Sequence, residues 1–226
     1  MVILVLLSVV FLAGLADLAW GIVVGLPVRR TDAAFMIGVE AARIPWVTLF
    51  MRLYTHLGDV VVAGIIVLAI CAALWWKERK SYAIFVFGVT FSAVVVNSVL
   101  KVVVERTRPP AMFAAANVPV SASFPSGHTV LGVTLGGALA IIVLVEYGFR
   151  RGLFPAILLI AAGALLGISR VYLGVHWLSD VLGGWLLGMA WLCAWSAGWL
   201  WIVLRRKPER RTRQLIPPVP PDGIRR

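Results

Sequence analysis

The chain has 226 residues, of which 61% are hydrophobic and only 14% are charged, and its mean hydropathy is +0.96. Soluble globular domains contain about 25% charged residues, so this composition excludes an ordinary soluble domain and indicates an integral membrane protein. The formal net charge of +11 does not indicate nucleic-acid binding. The positive residues are concentrated in short loops and at the C-terminus rather than spread over a folded surface.

Six apolar segments are long enough to cross the hydrocarbon core of a bilayer, which is about 30 Å thick and requires about 20 apolar residues in a helix. Tryptophans near the segment ends support these boundaries, because indole rings favour the headgroup region. The predicted fold class is therefore all-α, a polytopic membrane protein with six transmembrane helices. The predicted helices are 2–24, 57–76, 82–103, 128–147, 153–171 and 180–203.

The segment 27–56 lies between the first and second predicted helices and mixes arginines with large apolar side chains. This pattern predicts one or two amphipathic helices in the outer membrane interface, broken at Pro45. Two roles stay open for the segment. It either shapes a lateral opening for a lipid or forms a solvated cap.

The positive residues outside this segment predict the topology. If the helices alternate in direction, these residues fall on one side, which the positive-inside rule assigns to the cytoplasm. Both termini are then cytoplasmic, in a multi-pass protein of the plasma (inner) membrane, and the loops after the first, third and fifth helices are external. The residues are Lys77, Arg79, Lys80, Arg150, Arg151 and the basic tail from Arg205.

The chain divides into a membrane domain, residues 1–204, and a C-terminal tail, residues 205–226. The tail is basic and contains Pro217, Pro218 and two further prolines close behind them. Prolines at this density are incompatible with a helix, so the tail is predicted to be disordered and cytoplasmic. It is interpreted as a stop-transfer anchor that contacts anionic membrane lipids, with no role in nucleic-acid binding.

Three short polar motifs interrupt the apolar chain, each at the end of a predicted helix. Charged residues at such depths usually face a polar cavity rather than lipid. In the predicted topology all three motifs lie at the outer face, where they can form one site. They are Lys101-x6-Arg108-Pro109, Pro125-Ser126-Gly127-His128 and Ser169-Arg170-x5-His176-x3-Asp180.

In this order the motifs resemble the signatures of the type 2 phosphatidic acid phosphatase family, and the resemblance covers residues 101 to 180 or so. The family also includes glucose-6-phosphatase-like enzymes and the vanadium haloperoxidases. Those haloperoxidases are soluble, which excludes a vanadate-dependent oxidase here. The resemblance implies a membrane lipid phosphate phosphatase that forms a phosphohistidine intermediate.

The cationic motif residues suit the binding of a phosphate. Arg108 and Arg170 offer planar guanidinium forks, and Lys101 adds a compact positive charge. Ser126 and Gly127 lie at a predicted helix N-terminus, where free backbone N–H groups favour an anion. These five residues are the predicted phosphate-binding set.

Two histidines and one carboxylate complete the predicted catalytic set. His176 and Asp180 are four residues apart, so on a helix the carboxylate can accept the Nδ1 proton and leave Nε2 free as a nucleophile. His128 comes from another helix. It is predicted to protonate the departing oxygen of the lipid and then to activate the hydrolytic water.

No metal or other cofactor is expected, because the ten acidic residues are scattered and form no ligand motif. Cys71 and Cys193 lie in apolar segments, where thiols behave as small hydrophobic groups. Asp17, His56 and Asp59 belong to no motif and are left without a role.

The leading hypothesis is a phosphatase for a lipid phosphate or diphosphate at the outer leaflet, with a polyprenyl diphosphate as the favoured substrate. Phosphatidic acid and phosphatidylglycerol phosphate are the alternative substrates. The motifs do not distinguish hydrolysis from phosphoryl transfer to another lipid, and they leave the oligomeric state open. A hypothesis of a different class is a lipid transporter or flippase, although the ionisable residues lie at helix ends rather than at the membrane midplane.

Overall fold

The computed structural model describes residues 1–25 and 27–206, without the side chains of 203–206, and within them all regular structure is helical. Short 3-10 turns at His56–Gly58 and Ala111–Phe113 accompany the α-helices. The predicted tail lies outside the described residues, apart from its first two positions, which end the last helix. The helices are α1 (Val2–Val24), α2 (Pro27–Ala41), α3 (Pro45–Thr55), α4 (Val60–Trp76), α5 (Lys80–Val104), α6 (Gly127–Tyr172) and α7 (Leu178–Arg206).

Four helices, α1, α5, α6 and α7, are long and apolar enough to cross a membrane. A fifth span is possible if α2 and α3, which are bent by 119° relative to each other, count as one broken span. Helix α4 is apolar but has only 17 residues. The prediction of an all-helical, multi-pass membrane protein is confirmed, whereas the count of six spans stays a prediction.

Helix α6 contains a reversal of the chain. Its backbone is non-helical at Gly148, where φ is 71° and ψ is 168°. In a straight helix Gly132 and Gly163 would be about 46 Å apart, at 1.5 Å per residue, yet a Cβ placed on Gly132 would collide with the Gly163 carbonyl oxygen. The two arms of α6 therefore run back along each other in close contact, which matches the two helices predicted at 128–147 and 153–171.

Helix α7 lies at the centre of the bundle and packs against α1, α5 and α6. Side chains from all four helices meet in one apolar cluster, as expected where neighbouring helices bury a shared apolar surface. This cluster holds together the helices that bear the three motifs. Its fully or mostly buried members are Leu15, Ile22, Ala93, Phe124, Val130 and Leu187.

Helices α2 and α3 fold over the end of the bundle where the motifs lie. The predicted break is present, because α3 begins at Pro45 and the proline stands at a helix N-terminus, where its missing N–H costs nothing. Met36 of α2 is fully buried against Val171 and Val181. Arg43 donates to the Tyr172 carbonyl at 2.9 Å. The segment is thus attached to the bundle, while its place relative to the membrane interface stays a prediction.

Candidate active site

The three motifs converge at one end of the bundle. Lys101 lies in the last turn of α5, and Ser126 is the N-cap of α6. The Ser126 amide donates to the Asp180 carbonyl at 3.0 Å, which joins the second motif to the third. None of the eight predicted site residues is placed elsewhere in the fold.

His176 and Asp180 form a buried pair. Nδ1 of His176 lies 3.2 Å from Oδ2 of Asp180, and both side chains are almost completely inaccessible to solvent. The same carboxylate oxygen accepts the Trp177 amide at 2.9 Å and the Ser123 hydroxyl. Several donors therefore fix Asp180, which in turn fixes the plane of the imidazole ring.

Arg108 identifies the tautomer of His176. Its Nη1 lies 3.0 Å from Nε2 of His176. A guanidinium group can only donate hydrogen bonds, so Nε2 must present its lone pair and the proton must lie on Nδ1, facing Asp180. In this tautomer Nε2 can act as a nucleophile.

Burial also keeps His176 neutral. Removal from water lowers the pKa of His176 to about 4, although the hydrogen bond and charge of Asp180 act in the opposite direction. The positive charges of Arg108 and Arg170 add to the lowering. At neutral pH the ring is therefore uncharged and keeps the free lone pair that an attacking nitrogen needs.

Arg108 and Lys101 line a cleft of about 770 Å³ at the edge of the site. Arg108 donates to the carbonyls of Ser121 and Val175 at 2.8 and 2.7 Å, and Lys101 donates to the Ala122 carbonyl. Partial burial lowers the pKa of Arg108, and the charge of Asp180 opposes that lowering. Both cations are thus held by loop carbonyls, which a phosphate could replace as acceptors.

Buried polar atoms without partners surround the start of α6. Among the described residues, Oγ of Ser126 and Nε of Arg170 are buried and make no hydrogen bond. Arg170 is held by Thr55, to whose hydroxyl it donates at 2.8 Å. A side chain at position 127 would approach Asn97, so glycine leaves the backbone accessible there. Unsatisfied donors in a buried site indicate space for a ligand with several oxygens.

His128 has an acidic neighbour that the motifs did not reveal. Nε2 of His128 lies 3.3 Å from Oδ1 of Asp59, whose other oxygen is 2.7 Å from Nδ1 of His56. Partial burial raises the pKa of Asp59, but the hydrogen bond from His56 and the charges of both histidines outweigh it and hold that pKa below its usual value. Asp59 and His56 were left without a role in the sequence, and the structure places both beside the site. Asp17, in contrast, lies on the exposed side of α1.

Arg106 is a second residue that sequence reasoning missed. It stands inside the x6 stretch of the first motif, and its guanidinium binds Asp180 and Asp32 at 2.5 Å each. The one available signal was the arginine itself. A third cation close to the two predicted phosphate ligands Lys101 and Arg108 requires, when buried, an acidic partner or an anion. That partner, Asp32, is 74 residues away in the chain.

The chain is similar in sequence and structure to several known membrane phosphatases. The chain is 32% identical over 164 residues to phosphatidylglycerophosphatase B of Bacillus subtilis, which covers 72% of this chain and 80% of that protein. It is 33% identical over 104 residues to an undecaprenyl-diphosphatase of Sulfolobus acidocaldarius, covering 44% of this chain and 46% of that one. A crystal structure of a transmembrane PAP2-type phosphatidylglycerolphosphate phosphatase from Bacillus subtilis superposes with a TM-score of 0.78. Its sequence is 28% identical, with 90% of this chain and 98% of that chain covered.

Residues 81–207 match the PAP2 superfamily, and this range contains all three motifs and the cleft that Lys101 and Arg108 line. The sequence resemblance to type 2 phosphatidic acid phosphatases is thereby confirmed, and the chain belongs to the PAP2 superfamily.

Proposed function

We propose that this protein is a membrane lipid phosphatase that removes a terminal phosphate through a phosphohistidine intermediate on His176. The observation that carries the proposal is the arrangement of Arg108, His176 and Asp180. The ring is held by Asp180 at Nδ1, and its Nε2 lone pair meets a cation that can bind a phosphate oxygen. Phosphoryl transfer requires a nucleophile that is already oriented beside the groups that bind the phosphate.

In the first chemical step, Arg108, Arg170 and Lys101 bind the phosphate oxygens, together with the N-terminus of α6. Nε2 of His176 forms a bond to phosphorus while the bond from phosphorus to the lipid oxygen breaks. His128 gives its proton to the departing oxygen. Asp180 stabilises the positive charge that develops on His176.

In the second step the roles reverse. His128 takes a proton from water, the water oxygen bonds to phosphorus, and the bond between phosphorus and Nε2 breaks. Free phosphate leaves, and both histidines return to their starting states. The cations on the protein neutralise the phosphate charge throughout, so we propose that the reaction needs no metal ion.

We propose a polyprenyl diphosphate as the preferred substrate. Lys101 and Arg108 line the 770 Å³ cleft together with three apolar side chains, Val102, Val118 and Val120. A diphosphate supplies additional oxygens for the two cations, and an apolar wall suits a hydrocarbon chain. The similarity to an undecaprenyl-diphosphatase supports this choice.

Phosphatidylglycerol phosphate is the second candidate substrate. The relative that shares 164 aligned residues with this chain is a phosphatidylglycerophosphatase, and the superposed crystal structure bears the same activity in its name. Both substrates present a terminal phosphate at the same membrane depth, and the same two-step chemistry applies to either.

A phosphate-release assay on the purified protein tests the proposal. The panel contains undecaprenyl diphosphate, phosphatidylglycerol phosphate, phosphatidic acid and glucose 6-phosphate, with His176→Ala as the matched control. We expect release from the lipids, little from the sugar phosphate, and none from the control. A preference above tenfold for phosphatidic acid, about 1.4 kcal/mol in transition-state binding, would overturn the substrate order. Phosphate transferred to another lipid would identify a phosphotransferase, and no reaction with any lipid would favour a transporter.

We also propose six membrane-spanning helices with both termini in the cytoplasm and the site at the outer face. The α6 reversal supports this topology, because it places the start of α6, with Ser126, and its end, with Arg170, at the same end of the bundle.

A further inference from the structure

Arg106 joins two buried carboxylates. Its Nη1 donates to Oδ1 of Asp180 and its Nη2 to Oδ2 of Asp32, each at 2.5 Å. The side chains of all three residues are at most 7% exposed. Charges in such surroundings are little screened by salt or water, so each acts strongly on its neighbours.

Arg106 and Arg108 approach the nucleophile from opposite sides. Arg108, which lines the cleft, contacts Nε2 of His176. Arg106 contacts Asp180, which binds the other ring nitrogen, and also donates to the Ser179 hydroxyl at 2.7 Å. Both guanidinium branches of Arg106 are occupied by protein acceptors. Arg106 also lines the cleft, but the acceptors on its two branches are carboxylates, which neutralise its charge, whereas Arg108 is held by uncharged carbonyls. Arg106 therefore lies outside the phosphate cradle, the group formed by Lys101, Arg108, Arg170 and the N-terminus of α6.

We propose that Arg106 is a positioning residue that holds Asp180 against Nδ1 of His176 and limits the attraction of Asp180 for the proton on that nitrogen. The inference rests on the proposed role of His176 as nucleophile. A carboxylate with no cation beside it would favour a doubly protonated ring, which has no lone pair and cannot attack phosphorus. With Arg106 bound, Asp180 orients the ring and leaves it neutral.

Asp32 extends this arrangement to α2. Its Oδ1 accepts the Ser179 amide at 3.0 Å and its Oδ2 accepts the Ser179 hydroxyl at 2.5 Å, besides the bond from Arg106. Met36, one turn later on the same face of α2, is fully buried. Helix α2 is thus anchored at the site by a carboxylate and by an apolar side chain, and Asp32 is the second positioning residue.

The two substitutions that remove these charges have opposite electrostatic signs. The other charged or titratable groups that act on His176 are Asp180, Arg108 and Arg170, and His128 is coupled to it as well. Arg106→Gln removes a positive charge and leaves Asp180 unopposed, so the pKa of His176 should rise by about 1 unit or more. Asp32→Asn removes a negative charge and leaves Arg106 to Asp180 alone, so that pKa should fall or stay unchanged.

Nuclear magnetic resonance on the full chain in detergent micelles measures this directly. The chain has only three histidines, so protein labelled with 13C-histidine and purified without a histidine tag gives three ring signals to follow against pH. His56→Gln and His128→Gln assign the signals. Arg106→Lys, which keeps the charge, is the matched control and should leave the pKa of His176 close to that of the unmodified protein. The readout needs no substrate, so it can fail or succeed independently of the proposed phosphatase activity.

An unchanged pKa of His176 in Arg106→Gln would overturn the proposal. A rise in both Arg106→Gln and Asp32→Asn would also overturn it, because exposure of a loosened site to water raises the pKa in either variant. If Arg106→Gln does not fold, the double variant Asp32→Asn/Arg106→Gln replaces it. In the double variant position 32 is uncharged, so Asp180 is the only carboxylate that has lost its cation. The same rise in the pKa of His176 is expected. A lack of any rise in that double variant would be equally decisive against the proposal.

Discussion

Oδ1 of Asp59 lies 3.3 Å from Nε2 of His128, so each histidine of the site has a carboxylate beside it. The two carboxylates differ in exposure. Asp180 is fully buried, whereas the Asp59 side chain is 45% exposed and is also bound by His56 at 2.7 Å. In the proposed mechanism the buried carboxylate fixes the nucleophile, and the exposed one adjoins the histidine that must exchange protons with water.

Asp59→Asn should lower kcat by about tenfold. A general acid contributes about 10²- to 10⁴-fold, and loss of the carboxylate leaves less of His128 protonated without deleting the histidine. Asp59→Glu should recover part of the loss. His56→Gln is the matched control, since the pair it breaks is exposed and such pairs contribute little. Steady-state phosphate release measures all three, and full activity in Asp59→Asn would remove Asp59 from the mechanism.

His176→Ala should abolish phosphate release, because the proposed mechanism takes its attacking nitrogen from this side chain. Asp180→Asn should cost about 10⁴-fold, by analogy with the corresponding change in a Ser-His-Asp triad, since the amide favours the wrong tautomer. Because Asp180 also binds Arg106, its replacement can disturb the fold. The Asp180→Asn variant must therefore elute as a single species in detergent before its activity is compared. Trapping the radiolabelled phosphoenzyme in the unmodified protein, and its absence in His176→Ala, tests the covalent step itself. Substantial turnover by His176→Ala would exclude it.

The stability of the protein should fall as the pH drops from about 6.5 to about 4. Burial lowers the pKa of folded His176 to about 4, while the unfolded chain takes up the proton near the usual 6.5. In that window the unfolded state binds more protons, which costs the folded state up to ~3 kcal/mol by linkage. Below pH 4 this effect levels off. Thermal unfolding of the unmodified protein and of His176→Gln in detergent measures it. If both respond identically between pH 6.5 and 4, His176 is not the cause.

Chelation of metals should leave the activity unchanged, and vanadate should inhibit it. In the proposed mechanism Lys101, Arg108 and Arg170 supply the positive charge that a metal would otherwise provide. Vanadate resembles the five-coordinate state of phosphorus and should occupy the same ligands. Arg108→Ala should weaken inhibition by vanadate, which distinguishes binding in the cradle from a nonspecific effect. Loss of activity in EDTA that magnesium restores would contradict metal-free hydrolysis.

The topology can be tested by labelling single cysteines with an impermeant maleimide in intact cells. In a background lacking Cys71 and Cys193, Val120→Cys should react, because this side chain is fully exposed in the loop beside the cleft. Lys77→Cys, also exposed but at the opposite end of the bundle, should react only after permeabilisation. The reverse pattern would place the site in the cytoplasm.

Apolar length predicted much of the fold, and the three motifs predicted which residues the fold brings together at the candidate site. Helices α1, α5 and α7 begin and end within a few residues of the predicted spans, since the membrane dictates their length. The predicted start of the second span at residue 57 was too early. His56–Gly58 forms a 3-10 turn that carries Asp59 towards His128.

The missing part of the site consists of ion pairs between distant residues. Asp32 and Arg106 are 74 residues apart, and a single sequence contains no pattern that matches one carboxylate to one guanidinium over such a distance. The motif residues could be found because several of them lie close together in the sequence, at short and fixed spacings. The positioning residues lie on other elements and meet only in the folded bundle.

The reversal in α6 makes the phosphate cradle sensitive to register. Ser126 begins one arm and Arg170 ends the other, so both reach the site only if the two arms keep their present lengths from Gly148. One inserted residue in either arm would move its end by about 1.5 Å and rotate it by about 100°, which is enough to turn a phosphate ligand away from the cleft. The turn at Gly148 joins the two arms at the ends far from the site, so its length is not restricted in this way. Variation among related sequences should therefore accumulate at this turn, while the number of residues in each arm stays constant.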